Sequence, residues 1–191
     1  MLLDDYIPQW QFNEFHQTMI AAAPEVVYAA MRKVNLGRSP LVKPLLILRE
    51  LPIRLWNQDY ESRGLSGTLD DMREVGFIPL ADEPPKEYVF GLVGRFWVLS
   101  PQIQDLTPEE FIRFNKPGQA KVAANLLITE LGPNTCRLST ETRIQCLGPK
   151  AKRQFQRYWL MIRPFSGLIR LEWLRLIKRE AAMQTWARGN N

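Results

Sequence analysis

Residues able to do chemistry are scarce in this chain. It has one histidine, His16, and two cysteines, Cys136 and Cys146. A site built on several histidines is excluded, and a cysteine-rich metal site has too few ligands. His16 lies in an aromatic, β-compatible run, where a lone histidine ordinarily plays a structural part. Gly64-Leu65-Ser66-Gly67 lacks the Gly-x-Ser-x-Gly spacing of a nucleophile elbow. Gly91 and Gly94 fall inside an extended run instead of between a strand and a helix, so they form no phosphate loop. A bend in a curved sheet is the expectation for them. Nucleotide-dependent and metal-dependent catalysis are disfavoured, and no cofactor is expected.

What remains is arginine, glutamate and tyrosine, and alternation along the extended runs sorts them. One face holds Tyr88, Phe90, Leu92 and Phe96, then Val122, Ala124, Leu126 and Ile128, then Leu138, Thr140, Thr142 and Ile144. The other holds Glu87, Arg95 and Trp97, then Lys121, Asn125 and Thr129, then Arg137, Ser139, Glu141 and Arg143. Patterning puts the first face under a covering helix and the second in water. Charges on the second would then be solvated and worth less than about 1 kcal/mol each. A one-residue bulge in Glu87 to Trp97 would flip the later side chains. Arg95, Glu141 and Arg143 would then make the polar end of a cavity beside Trp97, suited to a polar ligand group or to proton transfer.

The elements that must position these residues follow from period and punctuation. Phe12 to Ile20 reads as a strand. Pro24 then opens a helix with Val26, Val27, Ala30, Met31 and Val34 at helical spacing, ended by Gly37. Ser39-Pro40 restarts a helix with Leu41, Leu45, Leu48 and Leu51 in a stripe, broken into pieces by Pro44 and Pro52. Thr68 and Asp71 form an N-cap pair for a short helix that stops at Gly76. Phe77 to Ala81 and Glu87 to Trp97 are strands around Asp82-Glu83-Pro84-Pro85-Lys86. Thr107-Pro108-Glu109-Glu110 is a capping box that predicts a helix over Pro108 to Phe114. Gln119 to Leu131 and Thr135 to Cys146 are long strands joined at Gly132-Pro133-Asn134.

From Gly148-Pro149 a helix runs to about Ala182. Its apolar face is Phe155, Trp159, Ile162, Ser166, Ile169, Trp173 and Leu176 or Ile177. Pro164, inside it, should kink it or remove one hydrogen bond. The two cysteines share one strand about 33 Å from end to end, too far apart for a disulfide. They are expected to be free thiols.

The 191 residues are expected to form a single domain, residues 1–191, with an ordinary hydrophobic share of 46%. The net charge of +5 is unevenly distributed. From Gly148 onward ten Lys/Arg stand against two Asp/Glu, a net of +8; the first 147 residues carry fifteen against eighteen, a net of −3. Lys150, Lys152, Arg153, Arg157, Arg163, Arg170, Arg175, Lys178 and Arg179 therefore make the last helix basic. Its cations would be a solvated face favoured by the helix dipole, or a weak contact with an anionic membrane. Aromatic residues interleave mostly at core spacing, which speaks against nucleic acid. The acidic Met1-Leu2-Leu3-Asp4-Asp5 is unlike a signal peptide, and a cytoplasmic protein is expected.

The order strand, two short helices, antiparallel strands, long C-terminal helix resembles the START-like or Bet v 1-like superfamily, which includes polyketide cyclases and dehydratases. The resemblance rests on Glu25-Val26-Val27-Tyr28-Ala29-Ala30, Gly91 to Trp97, Ser139 to Ile144, and the run FQRYWLMIRPFSGLIR over Phe155 to Arg170. Together these stretches look like a bacterial branch of that superfamily. It implies an α+β helix-grip fold, a curved antiparallel sheet wrapped around the long helix, with a cavity between them. The expected cavity wall is Phe90, Leu92, Phe96, Trp97, Leu126, Thr140, Thr142, Tyr158, Trp159, Ile162 and Ser166. The leading expectation is binding of a hydrophobic small molecule, lipid-like or polyketide-like. The alternatives are a cofactor-independent cyclase or dehydratase and an interaction protein with a filled interior.

Overall fold

The computed structural model describes residues 1–42, 44, 68–74, 76–98 and 101–189. Leu45, Leu48, Leu51, Pro52 and Gly64 to Gly67 lie outside the described residues. Four α-helices and six strands lie wholly within the described residues: α1 (Leu3–Tyr6), β1 (Phe12–Ile20), α2 (Pro24–Lys33), β2 (Ile78–Glu83), β3 (Glu87–Arg95), β4 (Gln102–Gln104), α3 (Pro108–Arg113), β5 (Ala120–Gly132), β6 (Thr135–Cys146) and α4 (Pro149–Gly189). Short 3-10 turns occupy Leu36–Arg38 and Leu69–Asp71. The antiparallel sheet has the order β1-β6-β5-β3-β2, with β4 pairing the far end of β3 beyond β2. The sheet is curled but unclosed, and α4 packs against β1, β6 and α2.

Local chemistry explains the element ends. Thr107 Oγ1 accepts from Glu110 N at 3.2 Å while Thr107 N donates to Glu110 Oε2 at 2.8 Å, which starts α3 with two otherwise orphaned donors satisfied. Thr68 and Asp71 make the corresponding box for their turn. Asn134 takes a φ of 56°, the left-handed geometry that asparagine tolerates in tight turns, and joins β5 to β6. Helix α4 continues through Pro164 to Gly189, beyond the expected end near Ala182. Pro164 and Leu160, whose carbonyl would have accepted the missing N–H, are both exposed, so water can serve that carbonyl.

The sheet has a core on each face. Towards the helices, Tyr88, Phe90, Leu126, Ile128 and Leu138 meet Val27, Met31, Trp173, Leu174 and Ile177. Nearer the start of α4, Ile144 and Ala120 meet Ala151, Phe155, Trp159 and Ile162. On the convex face Leu3 and Ile7 of the N-terminal segment and Phe111 of α3 cover Val89, Val93 and Ala123. Gly91 permits this second layer, because a Cβ there would sit 2.7 Å from the Phe111 ring and 2.8 Å from Leu80.

That second layer corrects the assignment of the outward face to water. Glu87, Lys121, Asn125, Ser139 and Arg143 are buried beneath or beside it, with Arg143 only 4% exposed. The reason is non-local: the covering segment comes from the far end of the chain. Both cysteines are free and buried at opposite ends of β6. Burial raises both thiol pKa values, that of Cys146 to about 12, and Cys136 Sγ donates to the Ala22 carbonyl at 3.2 Å.

Candidate functional site

The inward faces of β3, β5 and β6 and the inner stripe of α4 line a partly open cavity of about 130 Å³. Each strand contributes alternate residues: Phe90 and Leu92, Val122 and Ala124, Thr140, Thr142 and Ile144. The helix adds Phe155, Tyr158, Trp159, Ile162, Ser166, Ile169, Arg170 and Trp173 at steps of three and four, the spacing that holds side chains on one face. Leu36, Met72, Phe77 and Phe96 complete the wall. Aromatic contacts set its shape, with Phe155 stacked on Trp159 at 5.8 Å between centroids and Phe77 edge-on to Phe90 at 5.5 Å.

Nine of the eleven expected wall residues meet there: Phe90, Leu92, Phe96, Thr140, Thr142, Tyr158, Trp159, Ile162 and Ser166. Leu126 does not; it is fully buried in the packed core further along β5. Trp97 lies behind the wall, edge-on to Phe155 at 5.6 Å, with Nε1 donating to Gln154 Oε1 at 3.4 Å. Of the wall residues not expected, Val122, Ala124, Ile144, Phe155, Ile169 and Trp173 carried a legible signal, since they share the inward faces. Leu36, Met72 and Phe77 carried none, because their positions depend on how the chain returns to the sheet.

The proposed polar end is corrected. Pairing of β3 with β5 runs without a break from Glu87↔Leu127 to Gly94↔Ala120, so no bulge turns Arg95 inward. The register shifts fall in β2, between Pro79 and Ala81, and at the hairpin end of β5. Arg95 is half-buried at the end of β3, where it pairs with Gln102 of β4. Glu141 and Arg143 occupy the convex side. Arg143 donates from Nε to Glu141 Oε1 at 2.9 Å and from Nη1 to Asp4 Oδ1 at 2.7 Å and the Ile7 carbonyl at 3.1 Å. Its guanidinium carbon lies 4.0 Å from the Trp10 ring centroid.

The charge on the cavity wall comes instead from Arg170, which the sequence placed on the solvated side of α4. Its Nε donates to Thr142 Oγ1 at 3.0 Å and its Nη1 meets Glu14 Oε2 at 3.4 Å. Glu14 Oε1 lies 3.0 Å from His16 Nε2. Glu14 is 8% exposed, with one carboxylate oxygen toward Arg170 and the other toward His16. Gly167 lets the helix backbone settle on this group, since a Cβ would stand 2.6 Å from Glu14 Oε1. On the opposite side α4 presents Leu160, Met161, Leu168 and Leu171 to solvent together with Arg153, Arg157 and Arg163. Among the described residues no helix is long and apolar enough to cross a membrane.

No family model and no curated protein matches the chain. Among solved structures it is similar to a conserved protein from Geobacillus kaustophilus, at 15% identity and a TM-score of 0.42, over 90% of this chain and 96% of that one. A second likeness is to the Zhui aromatase/cyclase from Streptomyces sp. R1128, at 10% identity and a TM-score of 0.35, over 91% and 95%. A third is to CalU16 from Micromonospora echinospora, at 15% identity and a TM-score of 0.31, over 92% and 86%. Likenesses at this level carry neither ligand nor reaction from those proteins to this chain.

Proposed function

We propose that the protein binds a small hydrophobic molecule between its sheet and α4. The observation that carries this reading is the cavity of about 130 Å³ with a wall dominated by aromatic and aliphatic side chains. An apolar cavity of roughly 150 Å³ stays dry and takes up benzene, whereas drug-sized ligands need about 300 Å³ or more. The volume therefore favours a molecule of about one ring over an intact lipid or a multi-ring polyketide.

A proton-moving enzyme is the weaker reading. Among the described residues the wall carries no carboxylate, and Tyr158 and Arg170 are its titratable members. Glu141, the first candidate for a proton-moving carboxylate, stands on the other face of the sheet.

The test is thermal unfolding with toluene as the probe. At ten times its Kd, toluene should raise the Tm by about 3–5 °C. Ala124→Leu, which extends a wall residue into the cavity, should abolish that shift while leaving the protein folded. No shift with the unsubstituted protein would favour an interior filled by its own side chains and would defeat the binding reading.

A further inference from the structure

The side of α4 that faces away from the sheet is as regular as the side that lines the cavity. Met161, Pro164, Leu168 and Leu171 follow one another at steps of three and four, so they share one exposed face. The same steps place Arg153 and Arg157 before them and Arg175 and Arg179 after them, all four exposed. Leu160, next to this line, is 71% exposed, and Trp186, about five turns beyond Leu168 and in line with it, is 73% exposed. Single exposed apolar residues need no explanation, but a continuous apolar stripe bracketed by charge marks an interaction surface. The charge has one sign. Of the two acids on α4, Glu172 is buried and paired with Arg175, and Glu180 is half-buried and paired with Lys33 of α2.

We infer that this outward face is a docking surface for an anionic lipid bilayer, with α4 lying along the membrane plane. The leucines, Met161 and Trp186 enter the headgroup region and the upper acyl chains. The arginines at either end meet lipid phosphates, which their planar guanidinium groups match, while their stems stay with the apolar stripe. Charge complementarity selects this occupant. A second copy docked face to face and antiparallel would set Arg153 and Arg157 against Arg175 and Arg179. A nucleic acid would meet the arginines and give the leucines nothing apolar to bury against. The cavity lies on the other side of the helix, so this surface does not depend on ligand binding.

Co-sedimentation of the full chain with vesicles is the test. It should bind vesicles of phosphatidylcholine and phosphatidylglycerol in equal parts and leave pure phosphatidylcholine vesicles alone. Raising NaCl to about 0.5 M should weaken the binding about tenfold. Arg153→Gln with Arg157→Gln should cost about thirtyfold in affinity. Leu168→Ser with Leu171→Ser, both at exposed positions, should cost at least about tenfold. In the unsubstituted protein, tryptophan emission should shift to the blue on binding, and Trp186→Phe should remove most of that shift. The emission reading decides alone if the leucine variant does not fold. Failure to bind anionic vesicles, binding that the leucine pair leaves unchanged, or a blue shift that survives Trp186→Phe would overturn the proposal. So would tighter binding to duplex DNA than to the vesicles, or a dimer that the leucine pair abolishes in a protein indifferent to vesicles.

Discussion

The guanidinium of Arg143 is nearly out of reach of solvent, yet the side chain is well served. Asp4, Glu141 and the Ile7 carbonyl accept from it, and the Trp10 ring covers its face. Glu141 also accepts from Asn13 Nδ2 at 2.6 Å, its backbone N–H donates to Asn125 Oδ1, and Asn125 Nδ2 donates to Glu87 Oε1 at 2.7 Å. Glu87 in turn accepts from the Leu2 N–H at 2.8 Å. This chain of bonds holds the first residues against the sheet. Arg143 is buried, but Asp4 is exposed and Glu141 half-buried and still bonded to Asn13, so Arg143→Ala should cost about 1–3 kcal/mol in denaturant unfolding. The Kd for toluene should stay within about twofold, because the group faces away from the cavity. A large loss of affinity in folded Arg143→Ala protein would return Arg143 to the site. Nothing in the strand itself revealed this arrangement, since Asp4 lies 139 positions from Arg143. Trp173 shows the complementary limit: its place in the apolar stripe was legible, but the burial of its N–H without a partner among the described residues was not.

Helices and strands were legible where they are long enough to repeat. Alternation and the Gly132-Pro133-Asn134 turn gave β6 its observed bounds, Thr135–Cys146, and the capping box placed α3 to within one residue. Helix α1, with four residues, and strand β4, with three, are too short for any period to emerge. Wall residues on regular faces were recoverable for the same reason, whereas those on the returning loops were not. One buried carboxylate ties α4 to the turn after α2. Glu172, 5% exposed, accepts from Arg175 Nε at 2.6 Å and from Ser39 Oγ at 2.8 Å. The Arg175 hydrogen bond, aided by Ser39, holds its pKa below the usual 4.5 against the opposing effect of burial. A depressed carboxylate pKa stabilises the fold above the unfolded value and loses that contribution as pH falls through the folded one. Glu172→Gln should therefore be less stable than the parent by about 1–3 kcal/mol at pH 7. The gap should narrow as pH drops below about 4.5. Urea titrations at pH 7 and pH 3.5 would check this, and a gap that widens in acid would contradict it.

At the scale of the whole molecule, the sheet is a partition between two cores of different character. Its concave side faces the cavity and the long helix; its convex side is sealed by the N-terminal segment and α3. Every residue of β3 from Glu87 to Gly94 is consequently buried. A strand covered on both faces is the expected seat of the most protected amides. The partition also means that loss of the outer cover need not empty the cavity, so stability and ligand affinity can vary independently.

The placement of the two thiols at opposite ends of β6 gives the molecule an internal stopwatch. Only the thiolate attacks an aromatic disulfide reagent, and in the folded protein both cysteines are buried and burial disfavours ionisation of each. At pH 8, Cys136 and Cys146 should react slowly and at a common rate fixed by global opening, and urea should accelerate both alike. Faster modification of Cys146 alone would locate independent fraying at the start of α4, and rapid modification of both would contradict the sealed ends of that strand.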